Sequence, residues 1–123
     1  MGARGESTLH VGETEYRILF TNRALAEAQS AMGKGIIGVL QGYQGGESGV
    51  LETAHLLAAG LEAARRESRS RGIAYTVNDA YRIMDEVGFT AAAKATLEAV
   101  AAVLSYRAEG VGGDNSEAES PNP

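Results

Sequence analysis

Gly12–Gly38, GETEYRILFTNRALAEAQSAMGKGIIG, holds in one run a strand, a strand-to-helix junction, a helix and its stop. Tyr16, Ile18 and Phe20 alternate with Arg17 and Leu19, the period of two that marks a strand with one face buried. Thr21 or Asn22 then supplies an N-cap, because a short polar side chain can accept from a free backbone N–H of the first turn. The helix runs to about Met32, with Leu25, Ala28 and Met32 on one face and Arg23 and Glu27 spaced to pair on another. Gly33 ends it, since glycine enters the left-handed C′ conformation without a steric penalty. Ile36, Ile37, Val39 and Leu40 make a short apolar turn, closed by Gly42 and the Gly45-Gly46 pair.

Outward from this stretch, Thr8–Val11 reads as a partner strand, joined to Tyr16–Phe20 through Gly12–Glu15. A two-stranded hairpin is marginal alone and must pack on a helical layer. Residues 1–7 are small and polar and read as a flexible start. Toward the C-terminus, a long helix begins near Ser48. Val50, Ala54, Leu57, Leu61 and Ala64 trace its apolar stripe, widened by Leu51 and Ala58. It dissolves into the polar run Arg65–Gly72. Thr76 with Asp79 has capping-box spacing, and Val77, Ala80, Tyr81, Met84 and Val87 follow helical periodicity up to a stop at Gly88. A last helix, N-capped by Thr90, presents Ala93, Leu97, Val100 and Leu104 and ends near Tyr106. From Gly110 the chain is Gly, Asp, Asn, Ser, Glu and Pro, so 107–123 reads as a disordered polar tail. The expected fold is mainly α: one domain over 8–106, a bundle of four to five helices with an N-terminal β-hairpin.

The 123 residues allow one small core. Much of the 44% hydrophobic content is alanine, which buries little area and calls for closely spaced helices. A net charge of −5 argues against nucleic acid or an anionic membrane surface as partner. The absence of cysteine removes disulfides, thiolate metal sites and cysteine nucleophiles. No signal-peptide core or membrane-spanning run is present, which makes a soluble intracellular protein the expectation.

No chemistry-bearing constellation stands out. His10 and His55 lie on different elements without neighbours at ligand spacing, so no metal or cofactor is expected. Gly33-Lys34-Gly35 lacks the phosphate-loop spacing. Asp79, Asp85 and Glu86 do not follow a calcium-loop pattern. Val77–Val103 resembles a helix-turn-helix, but its second helix opens Thr90-Ala91-Ala92-Ala93-Lys94-Ala95-Thr96, with one lysine to read base edges. Arg65, Arg66, Arg69 and Arg71 form the one basic cluster. A solvated helix end, where cations favour the macrodipole, is its commoner meaning; docking of an acidic partner or of the chain's own acidic tail is the other. No acid, base and nucleophile combination can be assembled, so an enzyme is not expected.

The order of elements carries a resemblance. F-T-N-x-A-L-x-E-A-Q after a hairpin, G-x-G-I-I-G-V-L, L-x-x-A-x-L-L-A-A-G-L and T-x-N-D-A-Y-x-I-M-D-E-V-G before an Ala-rich helix look like the small tail proteins of long-tailed bacteriophages and gene transfer agents. The likeness covers Glu15–Leu40, Val50–Ala64 and Thr76–Leu104, and is closest to tail assembly chaperones. It implies a non-enzymatic, oligomeric assembly factor acting in the host cell cytoplasm. Its partners would be the tape measure protein and tail tube proteins. A structural tail subunit, or more remotely a small nucleic-acid-binding regulator, are the alternatives. Partner contacts are expected at Tyr16 and Ile18 of the open-edged hairpin, at Ile36 and Ile37, and at Arg65, Arg66, Arg69 and Arg71.

Overall fold

A computed structural model describes residues 4–69 and 71–106. In chain order the elements are β1 (Arg4–Val11), β2 (Thr14–Thr21), α1 (Asn22–Met32), α2 (Ile36–Gly45), α3 (Val50–Glu67), α4 (Val77–Val87) and α5 (Phe89–Leu104). Five helices and an N-terminal antiparallel hairpin give the mainly α architecture expected from the sequence. The tail expected to be disordered, 107–123, lies outside the described residues.

The hairpin is longer at both ends than its apolar pattern suggested. Val11 pairs with Thr14, so the turn is Gly12-Glu13 alone rather than Gly12–Glu15. Gly12 has φ 61° and Glu13 does not share the positive sign, the pattern of a type II′ turn with glycine first. At the other end β1 starts at Arg4, not Thr8, which corrects the flexible start expected over 1–7. The cause is packing on α5. A Cβ on Gly5 would stand 1.9 Å from the Ala99 carbonyl oxygen, and Ser7 Oγ donates to the Ala95 carbonyl at 2.5 Å. Small polar residues here are a condition of close approach.

Gly5, Ser7 and Leu9 oppose Phe20, Ile18 and Tyr16 across the ladder, so these six share one face. Ile18 and Phe20 are fully buried, their tips aimed at Gly60 of α3, where a Cβ would lie 2.7 and 2.8 Å from them. The hairpin thus lies across α3 and α5. Leu19, on the opposite face, is also buried, beside Ala24, Ala63 and the stems of Arg23 and Arg66.

α3 is the central element, touching β2, α1, α4 and α5. Leu56, Leu57 and Leu61 are buried to 1% exposure or less, and burying each such side chain contributes roughly 1.5–3 kcal/mol. Val50 and Leu51, expected in the apolar stripe, are instead about half exposed, because the first turn points Glu52 and Thr53 inward. α2 continues through Gly42 and ends at Gly46. Gly42 is a seat for Ser48, whose Oγ donates to the Val39 carbonyl at 2.6 Å, and does not close the helix.

α4 and α5 are joined by Gly88 alone, and α5 begins at Phe89 without the Thr90 cap. Its buried residues are Ala92, Ala93, Ala95, Thr96, Ala99, Val100 and Val103. Of the expected face, Ala93 and Val100 are buried as read, whereas Leu97 is half-buried and Leu104 exposed, so the buried stripe is rotated toward the alanines. Alanines win the interior because the hairpin lies too close to admit leucine.

Candidate functional site

The eight residues expected to meet partners divide by burial. Ile18 is fully buried under α3 and Ile36 is 5% exposed, so neither presents surface; both expectations are corrected. Ile36 is drawn in by its own backbone: its N–H donates to Gln29 Oε1 at 2.9 Å, pinning α2 to α1. Ile37, one position on, is 59% exposed. Tyr16 is half-buried and meets Tyr75 edge-on, with ring centroids 6.4 Å apart.

Arg65 and Arg66 belong to an internal network centred on Glu62. Its carboxylate accepts from Arg65 Nε at 2.8 Å and from the Tyr75 backbone N–H at 2.8 Å, with Arg66 Nε at 3.4 Å. The Arg65 bond is the main reason its pKa falls to about 2. Arg65 also donates to the Gly72 carbonyl at 3.2 Å. Arg66 reaches across to Glu27 of α1 at 3.1 Å. These two arginines hold the α3–α4 connection and α1 against α3, a structural duty that the sequence did not disclose. Arg69 and Arg71 are exposed and have no ion pair among the described residues.

A second buried carboxylate fixes the α2–α3 corner. Glu52 is 5% exposed, pairs with Lys34 and accepts from the Gly49 N–H at 2.8 Å. Lys34 first, and that N–H second, hold its pKa down to about 2. Tyr43 and Thr53 share a hydroxyl bond of 2.6 Å beside it. Ile37 and the adjacent pair Val50-Leu51 flank this anchor in sequence and stay in solvent. Val50 and Leu51 had been read as core, so periodicity concealed them as surface.

Two open depressions matter for binding. Between α1, α3 and the start of α4 lies a groove of about 300 Å³, lined by Ala28, Ala31, Ala58, Ala59 and Val77 with Glu27, His55 and Glu62 among its polar residues. A larger depression of about 510 Å³ lies at the hairpin turn, between Gly12, Thr14 and Tyr16 on one side and Arg82 and Glu86 of α4 on the other.

Among the described residues, no group of His, Asp or Glu could hold a metal ion, and no helix is long and apolar enough to cross a membrane. α5, which would be the reading helix of a helix-turn-helix, has one face under β1 and exposes a single cation, Lys94. No protein-family model, curated protein or solved structure matches the chain.

Proposed function

We propose that this protein is a tail assembly chaperone of a long-tailed bacteriophage or gene transfer agent, a non-enzymatic factor that binds helical segments of the tape measure protein. The alanine-lined groove between α1 and α3 carries the reading. Alanine side chains let a partner helix approach closely, and an amphipathic helix is the kind of partner that such a small-residue groove takes. The segments that resemble tail proteins include the residues lining this groove: Ala28 and Ala31 in the first, Ala58 and Ala59 in the second, Val77 in the third.

Features suited to self-association support the same reading. A two-stranded sheet leaves two strand edges available for pairing. Ile37, Val50 and Leu51 add apolar surface that a sheath of repeated copies would cover. The partners are then the tape measure protein, the tail tube proteins that displace the sheath, and further copies of this chain, all in the host cell cytoplasm. A structural tail subunit is the second reading, favoured by the same open edges.

Co-expression with the tape measure protein tests the proposal. The partner stays soluble with the native chain and precipitates with Ala31→Glu, which puts a charge at an exposed position of the groove. Equal solubility of the tape measure protein with and without this chain would sink it. Recovery of the chain in purified virions would favour the structural subunit instead.

A further inference from the structure

Six of the eight described arginines, Arg4, Arg17, Arg23, Arg65, Arg66 and Arg82, are each paired with a carboxylate. Arg69 and Arg71, in the α3–α4 connection, are the two without an ion pair among the described residues. Arg69 holds φ 58°, the left-handed region that a non-glycine residue adopts at some cost. Ile73 beside them is 94% exposed, the most exposed large apolar side chain described. Two unpaired cations next to a bare isoleucine make a surface suited to an acidic segment with an apolar residue in it.

The chain carries such a segment. Residues 107–123 contain Glu109, Asp114, Glu117 and Glu119 against Arg107, and Val111 is their large apolar residue. The point of departure is near. A Cβ on Gly5 would stand 2.9 Å from the Ala102 Cβ, so the last turns of α5 lie beside the start of β1. Arg4, next to Gly5, pairs at 2.6 Å with Glu67, two positions before Arg69. From Tyr106, eight extended residues reach roughly 26 Å, enough to bring Asp114 and the acids after it to these arginines.

We propose that residues 109–119 dock back on Arg69, Arg71 and Ile73 of the same molecule, as an electrostatic latch over the α3–α4 connection. The contact is independent of any role in tail assembly. A tether this short holds the segment at about millimolar effective concentration, so even a contact of roughly millimolar affinity is about half formed. Being carried by exposed charges, it weakens steeply with salt. An acidic partner competing for the same arginines would release the tail, which gives the surface a built-in threshold for occupancy.

The test uses the full chain. With no native cysteine, Ser116→Cys takes a single nitroxide label. The expected result is selective broadening of the Arg69, Arg71 and Ile73 amide signals, lost in about 0.5 M NaCl, where the screening length is a few ångströms. Arg69→Glu with Arg71→Glu removes the broadening, and adding Glu117→Lys with Glu119→Lys restores it. Both arginines are solvent-exposed, so the fold is kept, and the salt arm needs no such variant. Absence of broadening at low salt overturns the proposal, as does broadening that survives the arginine reversals. Broadening seen only when labelled and isotope-enriched molecules are mixed overturns it in favour of docking between copies.

Discussion

Gly5 and Gly60 act by having no side chain where two elements meet. At Gly5 the obstacle is a backbone carbonyl, which cannot turn aside, and at Gly60 it is the interlocked pair Ile18 and Phe20. Gly5→Ala is expected to cost about 3 kcal/mol and Gly60→Ala about 1–3 kcal/mol, the range for overpacked cores. Urea unfolding of the two variants checks the ranking. These glycines were illegible in the sequence for a physical reason. A glycine that permits close packing and one that only punctuates a loop are the same letter in the same polar company. Gly5 was therefore taken into a flexible start and Gly42 into a helix stop, whereas Gly33, with φ 71°, fell where a helix pattern ended and was read correctly.

Glu52 and Glu62 set the acid limit of stability. Both have folded-state pKa values near 2, below the 4.5 of an unperturbed glutamate. Their contribution is therefore complete above about pH 4.5 and is lost as pH falls from there toward 2, where the unfolded chain takes up protons that the folded chain refuses. Urea midpoints measured across this window should drop steeply in the native protein. Glu62→Gln should flatten that slope and lower the midpoint at pH 7, because it removes the charge that Arg65 and Arg66 share and weakens the hold on the Tyr75 N–H. Arg65 is partly exposed, so the loss stays below that of breaking a fully buried pair.

At the scale of elements, caps account for what could be read in advance. α1 and α4 have the expected boundaries because Thr21 Oγ1 accepts from the Ala24 N–H at 3.2 Å, and Asp79 accepts from the Thr76 N–H at 2.9 Å. Thr76→Ala should lower stability by about 1 kcal/mol, seen as a fall of several degrees in Tm. The α5 face was legible only in part because seven of its sixteen residues are alanine, which occurs on every side of the helix and carries no directional signal. The same rotation separates two substitutions that looked equivalent. Leu57→Asp buries an unpaired charge in a fully enclosed site and should unfold the protein. Leu97→Asp, at a half-buried position, should leave a folded protein of lower stability, distinguishable by its retained circular dichroism.

For the whole molecule, the arrangement reads as a central helix, α3, wrapped by elements that bring small residues to every close contact. The fold class was legible because hairpin turn, caps and stops recur at regular intervals along the chain. The candidate surfaces were not, since exposure depends on which neighbours a residue finds. Ile36 and Ile37 are adjacent and chemically identical, yet one is core and the other surface. Aspartate at Ile37, Val50 and Leu51 should leave Tm within a few degrees of the native value, because surface changes seldom exceed about 0.5 kcal/mol each. Sedimentation of that triple variant should show smaller assemblies if these residues join copies together.

The Ser7–Ala95 bond spans 88 positions, and the hairpin that makes it is synthesised before any of the five helices. On the ribosome β1 and β2 emerge before α5, one wall of their seat. Until then Ile18 and Phe20 wait without their full cover, and the strand edges wait with them. Closure of this seat therefore waits for α5. A nascent chain stalled before residue 89 would hold Ile18 and Phe20 without the wall that α5 supplies.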